Sequence, residues 1–325
     1  MKLPRRNFLH LAAGAAALPA VSRFARAQAY PTRPVRLIVP CGSAGATDIT
    51  ARLIGQWLSE RLGQQFVIEN RPGAGGNIAT EAVVRAAPDG YTLLYVTTAN
   101  ASNATLYDKL NFNFIHDIAP VAAIVGFPYI MVVNPSVSAK TLPEFIAYAK
   151  TNPGKINMAS VGIGSTPHVN GELFKMMTGT NMVHVPYRSA AAVMTDLLSG
   201  QVQLYFGTTA SSLEYVRTGK LRALGVTIER RLDALPEIPT LAEFVPGYEA
   251  SNWYGVSAPK ATPAEIIDKL NTEINAALAD PKMKAQLVDL GGTVLAGSPA
   301  DFGKLIAEET EKWGKVVRYA GIKAD

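Results

Sequence analysis

Two short segments of this 325-residue chain carry small, hydrogen-bonding residues at spacings suited to gripping an anion. The first runs from Pro40 to Thr50 as PCGSAGATDIT. Gly42 and Gly45 let a ligand approach the backbone, Ser43 and Thr47 add hydroxyls, and Ala44 and Gly45 add amides. A strand should end and a helix begin here. Free amides at a helix N-terminus, with a dipole worth roughly half an elementary charge, hold a carboxylate without any cation. Asp48 belongs to the same group of cleft residues. Capping the helix is its expected role, because a carboxylate facing a carboxylate repels. The second segment, GIGSTPH, spans 162–168. Gly164 gives backbone access, Ser165 and Thr166 give donors, Pro167 suits a first helical turn, and His168 closes the run. Alone, each segment could equally be a tight strand-to-helix turn. Two of them in separate halves of the chain suggest one site built from both.

Other chemistries fit less well. Ser165 with His168 and a distant Asp would make a hydrolase triad, the alternative function considered for this chain. However, the serine sits in Gly-Ile-Gly-Ser-Thr and not in a Gly-x-Ser-x-Gly elbow. Cys41 is the only cysteine, so no internal disulfide can form, and a lone thiol is more often packing than nucleophile. His116, His168 and His184 show no metal-ligand spacing, so neither metal nor cofactor is expected. His184, at a strand end, is expected to be structural or cleft-lining. The glycine-rich run 71–77 (RPGAGGN) lacks the Gly-Lys-Ser/Thr ending of a phosphate loop and is read as a structural turn bordering the cleft.

The elements around these segments alternate. Strands are expected at 35–40, 66–69, 91–96, 124–134, 156–160, 182–185, 202–206 and 221–226. Helices are expected at 48–62, 77–86, 142–150, 168–178 and 190–199, with further helices at 263–279, 281–290 and 299–319. The segments 97–105, holding Thr98 and Asn100, and 207–212, holding Gly207 and Thr208, read as loops bordering the cleft. This βα rhythm argues for parallel, doubly wound sheets with ligand loops at strand C-termini. The simplest arrangement is two α/β lobes joined by crossing strands near 126 and 253. Lobe I would comprise 28–126 plus 253–325, and lobe II 127–252, with the ligand between them. No repeats or low-complexity tracts interrupt the pattern, and cleft-forming loops disfavour a purely structural or adhesive role.

Residues 1–27 read as a secretory signal peptide. Arg5-Arg6 precedes Asn7-Phe8-Leu9, an apolar run covers 11–21, and Ala25-Arg26-Ala27 is a small-x-small cleavage pattern. The paired arginines resemble the twin-arginine export consensus, with Pro4 where Ser or Thr is usual; an ordinary Sec signal is the alternative. The apolar run is too short for a spanning helix, which needs roughly 20 residues. Five of the 31 Lys and Arg residues lie in this segment and no acid does, which leaves 26 bases against 26 acids. The pI of 9.2 therefore belongs to the leader, and nucleic acid is not implied.

The motifs carry a family resemblance across the whole exported chain. PCGSAGATD (40–48), ENRPGAGGN (69–77), APDGYTL (87–93), NPGK (152–155), GSTPH (164–168) and HVPY (184–187) all look like Bug-type periplasmic solute-binding proteins, the receptors of tripartite tricarboxylate transporters. So do DLLSGQVQ (196–203), LRALGVT (221–227), PGYE (246–249), WYG (253–255) and the tail WGKVVRYAGIKAD (313–325). The resemblance implies a two-lobed Venus-flytrap fold of the type II periplasmic binding-protein kind. It implies a monomeric receptor, not an enzyme, that captures a small dicarboxylate or aromatic carboxylate for membrane transporter subunits. Three positions depart from the family pattern. Cys41 replaces the usual Phe-like residue, Ala44-Gly45 replaces a Pro-Gly or Gly-Gly pair, and Gly207 stands where many members have Asp. Loss of that acid disfavours an amino-acid ligand, whose ammonium group would want a carboxylate. Gly207 was also expected to leave room for a bulky or aromatic acid.

Overall fold

A computed structural model describes residues 30–43, 45–232 and 235–324. The segment read as a signal peptide and Ala44 lie outside the described residues. Ten strands are present in it: β1 (Val35–Val39), β2 (Phe66–Asn70), β3 (Thr92–Thr97), β4 (Ile118–Val133), β5 (Asn157–Ser160), β6 (Val183–Pro186), β7 (Leu204–Thr208), β8 (Arg222–Val226), β9 (Ser251–Pro259) and β10 (Thr293–Val294). The helices are α1 (Ala46–Leu62), α2 (Asn77–Val84), α3 (Thr98–Leu106), α4 (Phe114–Asp117), α5 (Leu142–Thr151), α6 (Thr166–Thr178), α7 (Ala190–Ser199), α8 (Thr209–Arg217), α9 (Ala264–Ala279), α10 (Pro281–Asp289) and α11 (Pro299–Ala320).

The strands follow the order β2-β1-β3-β9-β4-β7-β5-β6, with β10 and β8 also pairing on β4. The 16-residue β4 belongs to two sheets. Its first part runs antiparallel to β9, from Ile118 opposite Pro259 to Pro128 opposite Ser251. Its last part, from Tyr129 to Val133, lies antiparallel to β7, and from Ile130 to Val133 to β8. The β2-β1-β3 and β6-β5-β7 runs are parallel, as the βα rhythm requires, but the joining strands reverse direction. The sheets are therefore mixed rather than purely parallel. β4 also begins earlier than expected. Pro120 at its start reads as a breaker, yet it is tolerated where the register against β9 shifts.

Helices cover both faces of each sheet. Ile54 and Leu58 of α1 and Leu270 and Ile274 of α9 pack on one face of the first sheet, together with Val35, Leu37 and Tyr95. Leu197 and Val193 of α7 pack against Ile130, Val132 and Tyr205 on one face of the second. The largest cluster crosses between the two. Trp313 and Val316 of α11 join Leu94 and Val96 of the first sheet to Phe174 of α6 and Phe206 of the second. The amphipathic 22-residue α11 is stopped cleanly at both ends. Ser298 and Asp301 form a capping box at its start, and Gly321 ends it in the left-handed conformation. Among the described residues, no helix is long and apolar enough to cross a membrane.

Candidate ligand-binding site

The first segment does pass from β1 into α1. Gly45 is the N-cap in extended geometry (φ −84°, ψ 167°), a residue with no side chain to cap the helix. Asp48 is therefore not the N-cap residue itself but lies three residues further on. It sits in the first turn, buried, where its carboxylate accepts from Arg52 Nε at 2.9 Å and from Asn70 Nδ2 at 2.9 Å. The physical reason is reach. A glycine at the cap puts Asp48 on the side of the helix that packs toward β2, and two donors wait there. Ser43 is exposed in the turn, and Thr47 is half-buried at its edge.

The second segment repeats the geometry between β5 and α6. Ser165 is the N-cap (φ −65°, ψ 157°), again without a side-chain cap, and Pro167 occupies the first turn. Gly162 (φ 130°) and Gly164 (φ 73°) adopt left-handed conformations that other residues rarely take. A side chain on Gly164 would also strike Leu106 of α3, 2.6 Å from an added Cβ. The Ser165 hydroxyl donates to Gly162 O at 2.7 Å, which closes the turn on itself. His168 Nδ1 accepts from the Gly164 amide at 3.0 Å. Ser165 and His168 thus spend their polar atoms on different glycines, and no hydrogen bond joins them among the described residues. The serine–histidine pair that does form is Ser160 with His184, at 2.6 Å. Ser160 is fully buried and out of reach of any substrate.

Tyrosines on the joining strands connect the two loops, a link that the sequence reading missed. Tyr254 of β9 packs between Tyr95 and Phe127 with tilted rings, at 5.8 and 5.3 Å between ring centroids. Burial pushes its hydroxyl up to about 12, a hydrogen bond with Thr47 pulling the other way. Tyr129 of β4 is buried and its hydroxyl is also pushed up, first by burial and then by the facing Tyr254, against a hydrogen bond with Thr166. Each helix N-terminus thus brings one threonine beside one tyrosine of a joining strand. The only signal for this in the sequence is the aromatic content at the two crossing points, Phe127-Pro128-Tyr129 and Trp253-Tyr254.

The remaining expected residues lie elsewhere or are engaged. The segment 97–105 is helix α3, not a loop. Thr98 Oγ1 accepts from the Trp253 amide at 2.9 Å, Asn100 Oδ1 accepts from the Thr97 amide at 2.8 Å, and Asn100 Nδ2 donates to Thr80 at 2.8 Å. Both side chains are buried and anchor α3. Thr208 caps α8 by accepting from the Ser211 amide at 3.2 Å. Gly207 does not leave room. A Cβ there would lie 2.1 Å from Ser212 Oγ and 2.9 Å from the Tyr205 ring, because α8 packs directly over this part of β7. The 71–77 turn is structural as expected: Asn103 Nδ2 donates to Gly75 O at 2.9 Å, and Gly76 lies against Pro40. Among the described residues no His, Cys, Asp and Glu side chains gather as a metal-binding group.

Two layered α/β lobes sharing a central strand, with paired strand-to-helix loops at the junction, define a two-lobed binding protein. The chain belongs to the tripartite tricarboxylate transporter receptor family, whose model matches residues 50–322. This is a family of solute receptors rather than enzymes. Protein BugT of Bordetella pertussis is 36% identical over 300 residues, 91% of this chain and 92% of that protein. A solved R. palustris protein, Rpa4515 with adipate, superposes with a TM-score of 0.76 at 38% identity over 90% of this chain and 99% of its own. MatC of Rhodopseudomonas palustris, with bound malate, gives 0.72 at 31% identity over 89% of this chain and 100% of its own.

Proposed function

We propose that this chain captures a small carboxylate without an ammonium group between its two lobes and delivers it, as a periplasmic monomer, to the membrane subunits of a tripartite tricarboxylate-type transporter. The lobes are taken as 28–126 plus 253–325 and 127–252. The observation that carries the reading is the pairing of α1 and α6. In neither does the N-cap residue cap the helix with its own side chain, and each first turn brings a threonine beside a tyrosine of the strands that join the sheets, Thr47 by Tyr254 and Thr166 by Tyr129. Amides at two helix N-termini favour an anion and penalise a cation. Asp48, the acid of the first loop, is turned to Arg52 and Asn70 and offers nothing to an ammonium group. Relatives solved with adipate and malate support a dicarboxylate. The engagement of Ser165 and Thr208 shifts the expected ligand donors toward backbone amides, Ser43 and Thr166. An aromatic acid loses the argument from space at Gly207.

Calorimetry with adipate and malate, each beside its amino-bearing analogue, tests the reading. Dicarboxylates should bind at least tenfold tighter, about 1.4 kcal/mol. The discriminating variant is Ala46→Pro. Proline is tolerated at a first helical position and here removes one amide from the site, and the extended Gly45 suits the residue before a proline. Affinity should fall about 10- to 100-fold, the range for one lost hydrogen bond to a charge, with the melting temperature little changed. Unaltered affinity would remove α1 from the site.

A further inference from the structure

We propose that His168 and His184 are positioning residues for the 162–166 loop: His168 fixes one of its two glycines directly and His184 fixes the other through Ser160. The proposal rests on the reading of that loop as half of the carboxylate site. The rings stack face to face, with centroids 3.5 Å apart and planes within 7°.

The hydrogen bonds assign the protons. His168 Nδ1 accepts from the Gly164 amide, so it bears no proton, and the ring proton sits on Nε2, which faces Glu172 Oε1 at 3.7 Å. Ser160 Oγ donates to Gly162 O at 3.0 Å and accepts from the Gly162 amide at 3.1 Å. Its single proton is then spent, so His184 Nε2 donates to it across 2.6 Å. A second proton on His168 could only go to Nδ1, where it would face the Gly164 N–H and turn the bond into a donor–donor contact. Gly162 and Gly164 are in left-handed conformations with more freedom than any other residue, so these bonds are what selects the loop's geometry.

The surroundings act against charge on His184. A second charge 3.5 Å from a first is unfavourable. Glu172, beside His168, is paired with Lys175 Nζ at 2.8 Å. Tyr319 of α11 and Lys323 of the tail line an open cavity of about 860 Å³, together with Ile163, His168 and His184. Asp108 is 3.8 Å from Lys323 and directed to it. Burial and His168 hold the His184 ring well below the usual histidine range, at about 4.

Nuclear magnetic resonance on the ligand-free, isotope-labelled protein tests this without any ligand. At pH 7.5 His168 Nδ1 should be unprotonated and the Gly164 amide protected from exchange. After correction for intrinsic exchange, His168→Leu should lower that protection at least tenfold. His168→Asn, whose Oδ1 replaces Nδ1 as an acceptor, should keep it within threefold. A proton on Nδ1 at pH 7.5, or protection in His168→Asn as low as in His168→Leu, overturns the proposal. A merely structural histidine would not be rescued by an acceptor alone. A parallel adipate titration separates the two readings. If adipate and malate both fail to bind while the exchange results hold, the carboxylate function is lost and the positioning role stands. If adipate binds, its affinity should drop at least tenfold in His168→Leu and stay within threefold in His168→Asn.

Discussion

The Glu309 carboxylate of α11 accepts from the Trp253 indole N–H of β9 at 2.9 Å. The same oxygen takes the Trp313 indole N–H at 2.7 Å, and Lys312 pairs with the second oxygen. Glu309 and both indoles are buried. One carboxylate thus pins the C-terminal helix to a joining strand.

Glu309→Ala should therefore cost about 2–5 kcal/mol, since it strands two buried indole donors, while Lys312 keeps its pair with Glu249 at 2.9 Å. Glu309→Gln should cost less, because its amide oxygen still accepts from an indole. Urea unfolding measures both. A loss under about 1 kcal/mol for the alanine variant would show that water replaces the carboxylate.

Gly207→Ala should destabilise by about 1–3 kcal/mol, the usual range for overpacking. The new methyl would overlap Ser212 Oγ and the Tyr205 ring. Adding Ser212→Ala removes the nearest atom and should recover part of the loss, so the double variant should be more stable than Gly207→Ala alone. Additive losses in thermal unfolding would contradict the packing.

Acid should weaken the fold through His184. Its folded pKa, about 4, lies below the ordinary 6.5, with burial the first cause and His168 the second. The unfolded chain then binds more protons between those values. Stability from the neutral ring is full above about 6.5 and lost as pH falls toward 4. Midpoints of urea unfolding at pH 7.5, 6 and 4.5 should fall more steeply for the natural protein than for His184→Gln. Parallel curves would refute the assignment.

Export should depend on Arg5 and Arg6. Replacing both by lysine should keep the protein in the cytoplasm, and N-terminal sequencing of the exported form should begin at Gln28. Normal export of the double variant would assign the Sec route.

Much of this architecture can be read along the chain, where local signals and packing agree. β1, α1 and α11 follow apolar periodicity, and the Ser298-Pro299 start of α11 carries its own cap. Helix α3, Thr98–Leu106, cannot be read this way. TANASNATL has few apolar residues, and its helix is held by the Thr97–Asn100 capping box and by burial of Thr98, Asn100 and Asn103 among partners distant in sequence. The site divides similarly. Both glycine loops announce themselves, because glycine, serine and threonine before a helix have a local meaning. Ser165 and Thr208 find their partners three residues away, but the Asn70 partner of Asp48 and the threonine–tyrosine neighbours depend on strand pairings that no window of sequence contains.

A strand shared between two sheets also constrains how this protein can be made and broken. Because β4 runs from Ile118 opposite β9 to Val133 between β7 and β8, each half of the molecule lacks an edge without the other. Neither half is a severable module, and translation must reach β9 before the first sheet can close. Truncation between residues 134 and 250 would leave β4 with an unpaired edge, the kind that recruits other chains.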